Sequence, residues 1–423
     1  MTSSVRIKTA SRTFAQAAML IAVAIFSTTL AQDAMLARLP LQNLLKNALH
    51  LSRGASAGFF FLTQLPWYFK PLAGILTDAF PVFGSRRKAY IVAGAVLGAA
   101  AWMLVWITPQ SYRPLLWVIT LNSTLIMIAS TAVGGVLVEA AHAGSGSGRL
   151  TALRFGVQYG CAIIATLGGG YLAAVNIGWT ALARAAGLLV MVPFVLVLLR
   201  EQPVTAHPRE IFRDAGRRLQ SVARAGGMWG AGALIGLFYI APGITTALFY
   251  KQQTDLHMHT QAQGVLNMLT AVGGIIGAVV YTFACRRWRL KTLLLVCLSI
   301  ATLTTLGYLF YSSVANAMVV EAMHGFGGAI ATMALIDLAT RATPPGAEGM
   351  GYAIFISITQ LVRFGTDWLG STMLDQLHMS FAALVLANAV TTLVTVPLAL
   401  LLPAVLVNAR EVEPADAVAA DLG

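Results

Sequence analysis

From Gly178 to Leu199 the chain runs through twenty-two residues that carry a single charged group, Arg184. Runs of this kind recur along its whole length. About 20 consecutive apolar residues make a helix that crosses the hydrocarbon core of a bilayer. In lipid every backbone polar group must be paired within the protein, so only helices and closed barrels span. The runs are too long for barrel strands and lack their residue-by-residue alternation. Composition settles the choice of solvent: 57% of residues are hydrophobic and 10% charged, against about 25% charged in soluble domains. The chain reads as an all-α, multi-pass membrane protein.

Twelve transmembrane helices are expected, at about 15–36, 55–77, 88–107, 114–138, 152–175, 178–199, 227–249, 261–284, 292–312, 315–340, 350–373 and 379–407. The first follows Arg6, Lys8 and Arg12 and is kept as a span rather than a cleaved leader, because it completes an even count. With both termini cytoplasmic, the expected outer segments hold five of the 28 Lys/Arg residues, namely Arg38, Lys46, Arg53, Arg113 and Lys251. Lys70, Arg184 and Arg363 fall inside spans, and the remaining twenty lie on the inner side. That bias sets the orientation by the positive-inside rule, with a cell inner membrane as the location. The net charge of +12 is therefore topological, and no nucleic-acid partner is implied. Cys161, Cys285 and Cys297 show no paired spacing, so neither a disulfide framework nor a metal site is suggested, and no cofactor is expected. His257 and His259 read as loop residues.

The expected organisation is a six-helix half over 1–199, a cytoplasmic linker over 200–226, a second six-helix half over 227–410 and an acidic tail over 411–423. The linker stretch IFRDAGRRLQSVA is amphipathic, which suits either a helix on the inner leaflet or a solvated connection. The halves echo one another. Gly74 and Asp78 precede Arg86-Arg87-Lys88 after span two, and Gly277 and Tyr281 precede Arg286-Arg287 after span eight. Parallel six-helix repeats are a mark of major facilitator transporters, which rock two halves about a midplane site.

The stretch Gln64–Tyr90 carries a more specific likeness. Leu65-Pro66-Trp67, Lys70-Pro71, Gly74, Asp78, Pro81, Gly84 and Arg86-Arg87-x-x-Tyr90 resemble the signature of the folate-biopterin transporter family of the major facilitator superfamily. Pro344-Pro345-Gly346-x-Glu348, then Ala353, Ser357 and Gly370, resemble a second segment of that family. In span four Glu139 matches the family pattern, whereas Gly134 stands where an aspartate is usual and Thr343 replaces a cysteine before Pro344. The resemblance implies a major facilitator fold and transport of a folate, a pterin or a related aromatic, partly anionic metabolite.

Ionisable groups inside a bilayer are costly and mark function by default. Arg363 and Asp367, four apart on span eleven, either neutralise each other or divide the work. In the second case Arg363 grips a substrate carboxylate and Asp367 exchanges a proton. Lys70 either snorkels to the inner interface or draws an anionic substrate beside Trp67 and Tyr68. Asp33, and Glu321 with His324 one turn deeper, are candidates for proton coupling. Asp337 and Arg341 form an expected structural or gating pair, and Arg184 is expected as an interface anchor. Asp78 is read as a gate residue, with Gly74, Gly84, Arg86, Arg87 and Glu139; the resemblance to major facilitator transporters implies that it pairs with arginines and with a helix N-terminus of the opposing half to close the inner side.

The sequence thus predicts a secondary active transporter, working by alternating access and coupled to protons. Its expected partners are a small-molecule substrate, protons and membrane lipid, with the chain as a monomer. The competing readings are transport of a nucleoside-like or amino-acid-derived metabolite, and a membrane sensor that no longer transports. No catalytic constellation is present, so an enzyme is not expected.

Overall fold

Prolines decide where the apolar runs stay straight. A proline inside a helix removes a hydrogen bond and clashes with the preceding turn. The expected second span contains Pro66 and Pro71, and it is built from three pieces: α3 (Arg53–Thr63), α4 (Leu65–Tyr68) and α5 (Lys70–Ala79). The expected seventh span contains Pro242 and breaks over 240–244 between α12 (Gly226–Tyr239) and α13 (Thr245–Thr254). Both departures from a continuous span have this one cause. The computed structural model describes residues 3–143, 147–199, 201, 208–343, 348–403 and 407.

The remaining helices follow in chain order. They are α1 (Ser3–Leu30) and α2 (Arg38–Asn43), then α6 (Lys88–Ile107), α7 (Tyr112–Ala143), α8 (Ser147–Leu172), α9 (Ile177–Leu189) and α10 (Met191–Leu198). After α11 (Pro208–Arg224) and the broken seventh span come α14 (Thr260–Arg287), α15 (Leu290–Leu306), α16 (Val314–Ala342), α17 (Glu348–Gln376) and α18 (Phe381–Leu398). No strand occurs among the described residues. Among the described residues, seven segments are long and apolar enough to cross a membrane: Lys88–Ile107, Tyr112–Leu137, Ile177–Leu198, Thr260–Cys285, Leu290–Phe310, Val314–Ala342 and Phe381–Leu401. The other expected spans coincide with helices that are shorter, broken or more polar. Large apolar side chains such as Trp117, Phe283 and Leu303 are exposed, as a lipid-facing surface requires.

The chain divides into two compact units. One comprises Met1–Leu51, Phe59–Ala215 and Thr260–Val265; the other comprises Ser52–Gly58, Gly216–His259 and Leu266–Gly423. The first is held by small-residue packing. A Cβ on Gly94 of α6 would lie 2.8 Å from Ala129 Cβ on α7, and Asn122 Nδ2 donates to the Gly98 carbonyl at 2.8 Å. Close approach of this kind drives helix association where lipid and side chain are equally apolar. In the second unit Leu290, Leu293, Leu294 and Leu298 of α15 are wholly buried against Ala334, Leu335 and Leu338 of α16.

Candidate functional site

Lys70 stands at the second break of the expected second span. The Phe69 backbone leaves the helical region there (φ −104°, ψ 16°), and α5 starts with Lys70 and Pro71 and with no side-chain cap from Phe69. The ammonium of Lys70 lies 4.9 Å from the Trp67 ring centre, within cation–π range, and donates to Ser130 Oγ of α7 at 3.4 Å. Its side chain is half-buried. Trp67 is only 6% exposed, and its indole N–H donates to Ser123 Oγ at 3.1 Å. The indole is thus part of the wall that places Lys70. Tyr68 donates its hydroxyl to the Phe61 carbonyl at 2.9 Å, a group freed by the break, and its ring lies against Phe61. Arg154 of α8 is within electrostatic reach of Lys70.

The same unit holds a buried ion pair. Asp33 and Arg184 are 1% and 0% exposed, with Arg184 Nη2 donating to Asp33 Oδ1 at 3.1 Å. Gln64 Nε2 donates to Asp33 Oδ2 at 3.4 Å, and the guanidinium stacks 3.6 Å from the Trp102 ring centre. Arg184 is therefore enclosed in protein, and the expectation of an interface anchor is corrected. Desolvating two charges costs several kcal/mol per ion, and Asp33, in the turn between α1 and α2, is the partner that makes an arginine acceptable there.

The turn after α5 is a small hairpin. Val82 and Ser85 exchange both backbone hydrogen bonds at 3.0 Å, with Phe83 and Gly84 at positive φ, 51° and 74°. Two positive φ values in succession require glycine or a residue that tolerates strain, which accounts for Gly84. Arg87 is buried, reaches Thr77 Oγ1 at 3.4 Å and packs over Gly135, where a Cβ would collide with the guanidinium. Arg86 is half-buried, and the helix around Gly74 comes within van der Waals reach of Thr131. Glu201 accepts from the Ser85 hydroxyl and from the Lys88 backbone N–H, and so caps α6. Sequence reasoning missed Glu201, because nothing in a linker indicates that one carboxylate folds back over 113 residues. The side chains of Asp78 and Glu139 lie outside the described residues, as do Pro344, Pro345 and Gly346.

In the second unit Asp367 of α17 serves the broken seventh span. Its Oδ1 accepts from the Thr246 backbone N–H at 2.9 Å and its Oδ2 from the Thr246 hydroxyl at 2.6 Å. It thus caps the positive N-terminus of α13. The Gly243 N–H donates to the Thr366 carbonyl at 2.9 Å, and a Cβ on Gly370 would lie 2.3 Å from the Gly243 carbonyl oxygen. Arg363, one turn earlier, is exposed and within electrostatic reach of Tyr239 and His324. Asp337 and Arg341 make a two-point ion pair at 2.8 and 3.0 Å, with the Tyr281 hydroxyl donating to the same carboxylate.

Glu321 of α16 is 3% exposed and is held by hydroxyl groups. Thr270 Oγ1 donates at 2.7 Å, Tyr311 at 3.1 Å and Tyr308 at 3.3 Å. Gln252 Nε2 donates to the Tyr311 hydroxyl at 2.7 Å. The His324 ring lies 5.0 Å from that of Tyr308.

The model of the BT1 family matches residues 30–420. Among curated relatives, the folate-biopterin transporter of Synechocystis sp. is 26% identical over 403 residues, covering 87% of this chain and 78% of its own. The probable folate-biopterin transporter 2 of Arabidopsis thaliana is 24% identical and covers 82% and 73%. Among solved structures, a single-residue mutant of the nucleoside transporter NupG superposes with a TM-score of 0.71 at 12% identity, covering 91% of this chain and 99% of that one. A D-xylose-proton symporter superposes with a TM-score of 0.66 at 15% identity, covering 91% and 96%. At such identity the two structures speak for the fold alone. With a family match over nearly its whole length, the chain belongs to the BT1 family, and it is a multi-pass membrane transporter with the major facilitator fold.

Proposed function

We propose that the chain is a secondary active transporter of folate- or pterin-like, partly anionic metabolites, working by alternating access and coupled to protons. The observation that carries this reading is the N-terminus of α5. A helix start bears about half a positive charge. In transporters, such starts inside the membrane commonly face anionic substrate groups. Here the start lacks a side-chain cap at Phe69 and carries the ammonium of Lys70, braced by Trp67 and Ser130. In the other unit the comparable helix start, that of α13, is already served by the carboxylate of Asp367. The contrast supports Lys70 as the carboxylate-binding group and Asp367 as a positioning residue. Arg363, exposed on α17 and within electrostatic reach of Tyr239 and His324, is the candidate substrate-binding cation in the second unit. A folate offers carboxylates to such cations and a planar ring to the aromatic residues beside them. The names of the relatives support the same substrate class.

The gate belongs to the hairpin end of α5. Gly74, Asp78, Gly84, Arg86, Arg87 and Glu139, with Asp337 and Arg341 in the other unit, would close the inner side during the cycle. The basic bias of the expected inner loops supports an inner-membrane location with both termini cytoplasmic.

Thermal denaturation of the purified protein with folic acid tests the assignment. A ligand at 100 times its Kd stabilises the native state by about 2.7 kcal/mol. Folic acid is expected to raise the midpoint of the parent chain and of Asp78→Ala, and to leave Lys70→Ala unmoved. An equal shift in Lys70→Ala would remove Lys70 from the site.

A further inference from the structure

The carboxylates of the described spans are held in different ways. Asp33 has Arg184, Asp337 has Arg341, and Asp367 caps the start of α13. Glu321, almost fully enclosed, is met only by the hydroxyls of Thr270, Tyr308 and Tyr311 among the described residues. An ionised carboxylate without a cation is expensive in a medium of low dielectric, whereas a protonated one is compatible with hydroxyl neighbours that can turn from donor to acceptor. His324 lies on the same helix three residues on, hence on the same face. Tyr308 connects the two, with its hydroxyl on Glu321 and its ring against His324 at 64°. Nδ1 of His324 is buried without a hydrogen-bond partner among the described residues. Arg363 of α17 is within electrostatic reach of His324.

We propose that Glu321 is the proton-carrying carboxylate of the transport cycle, and that Tyr308 and His324 link it to the Arg363 side of the unit. The ligand of this site is a proton. Loading forms one O–H bond on Glu321. Unloading breaks that bond and passes the proton to water or to a His324 nitrogen, with no other bond changed and no co-reactant required. The groups that face Glu321 are Thr270 from α14, Tyr308 and Tyr311 from the turn after α15, His324 on its own helix, and Gln252 of α13 by way of Tyr311. Asp33 and Asp367 are thereby released from proton coupling to positioning roles. The assignment rests on the proposed function for its role in the cycle, but proton binding itself is measurable without substrate.

Infrared pH-difference spectroscopy on the full chain in lipid reads that binding directly. A titrating C=O stretch of a protonated carboxyl is expected in the parent, lost in Glu321→Gln and displaced in Glu321→Asp. An unchanged band in Glu321→Gln, or a band that does not move in Glu321→Asp, would overturn the assignment. In proteoliposomes, Glu321→Gln is expected to lose accumulation of labelled folic acid driven by a pH gradient. Accumulation equal to the parent would refute the role in coupling. Absence of folic acid exchange in the parent would instead defeat the substrate assignment, and the infrared band would still decide the proton site.

Discussion

Arg184 shows what a single residue in a membrane protein demands of its surroundings. With 0% exposure it has Asp33 at 3.1 Å on one side and the Trp102 ring on the other. Removing one partner of a buried pair leaves the other charge uncompensated and costs about 3–5 kcal/mol. Arg184→Ala is therefore expected to lower the thermal midpoint sharply. The double replacement Asp33→Leu with Arg184→Met should recover most of the loss. Denaturation in detergent distinguishes this from a lipid-facing arginine, whose removal would be neutral or stabilising. That an arginine sits inside an apolar run is plain in the sequence, but its partner is 151 residues away. Spacing along a helix shows which residues share a face and is silent on which helix faces them. For the same reason the spacing of Arg363 and Asp367 allows a pair on one helix face but does not require it, and the Asp367 carboxylate goes to Thr246. Glu321 presented the opposite difficulty. Its acid character was legible, but its cage of three hydroxyls comes from α14 and from the turn after α15.

At the scale of elements, the breaks matter more than the spans. The seventh span parts around Pro242 and is stitched to α17 by contacts at Gly243, Thr366, Asp367 and Gly370. A methyl group at Gly370 would lie 2.3 Å from the Gly243 carbonyl oxygen, and overpacking of this kind costs about 1–3 kcal/mol. Gly370→Ala is accordingly expected to destabilise the protein. Gly236→Ala, in α12 with nothing within 4 Å of the added carbon, should be neutral or stabilising by up to about 1 kcal/mol. Thermal midpoints of the two variants, measured side by side, check the contrast; equal effects would mean that the α12–α13 break is not packed on α17. Pro71 and the aromatic run before it made Lys70 conspicuous in the sequence, because a proline after a charged residue in an apolar run points to a break. Glu201 was not conspicuous, since its capping of α6 depends on how the chain re-enters after α10.

For the whole molecule, length and hydropathy gave the class, and the family pattern gave the fold. Both follow from the bilayer, which allows few architectures and writes its constraint into every run of twenty residues. The match over residues 30–420 and the two solved transporters agree with that reading. Chemistry is less legible at this scale, because a transport site is assembled from single residues on many helices. Lys70, Arg363 and Glu321 are the three on which the proposed cycle turns. Uptake of labelled folic acid by proteoliposomes containing the purified full chain, with an imposed pH gradient, measures the proposed proton-coupled transport itself. Saturable accumulation is expected, collapsing with a protonophore and lost in Lys70→Ala. Uptake equal to that of protein-free liposomes, from protein that keeps its native thermal transition, would contradict it.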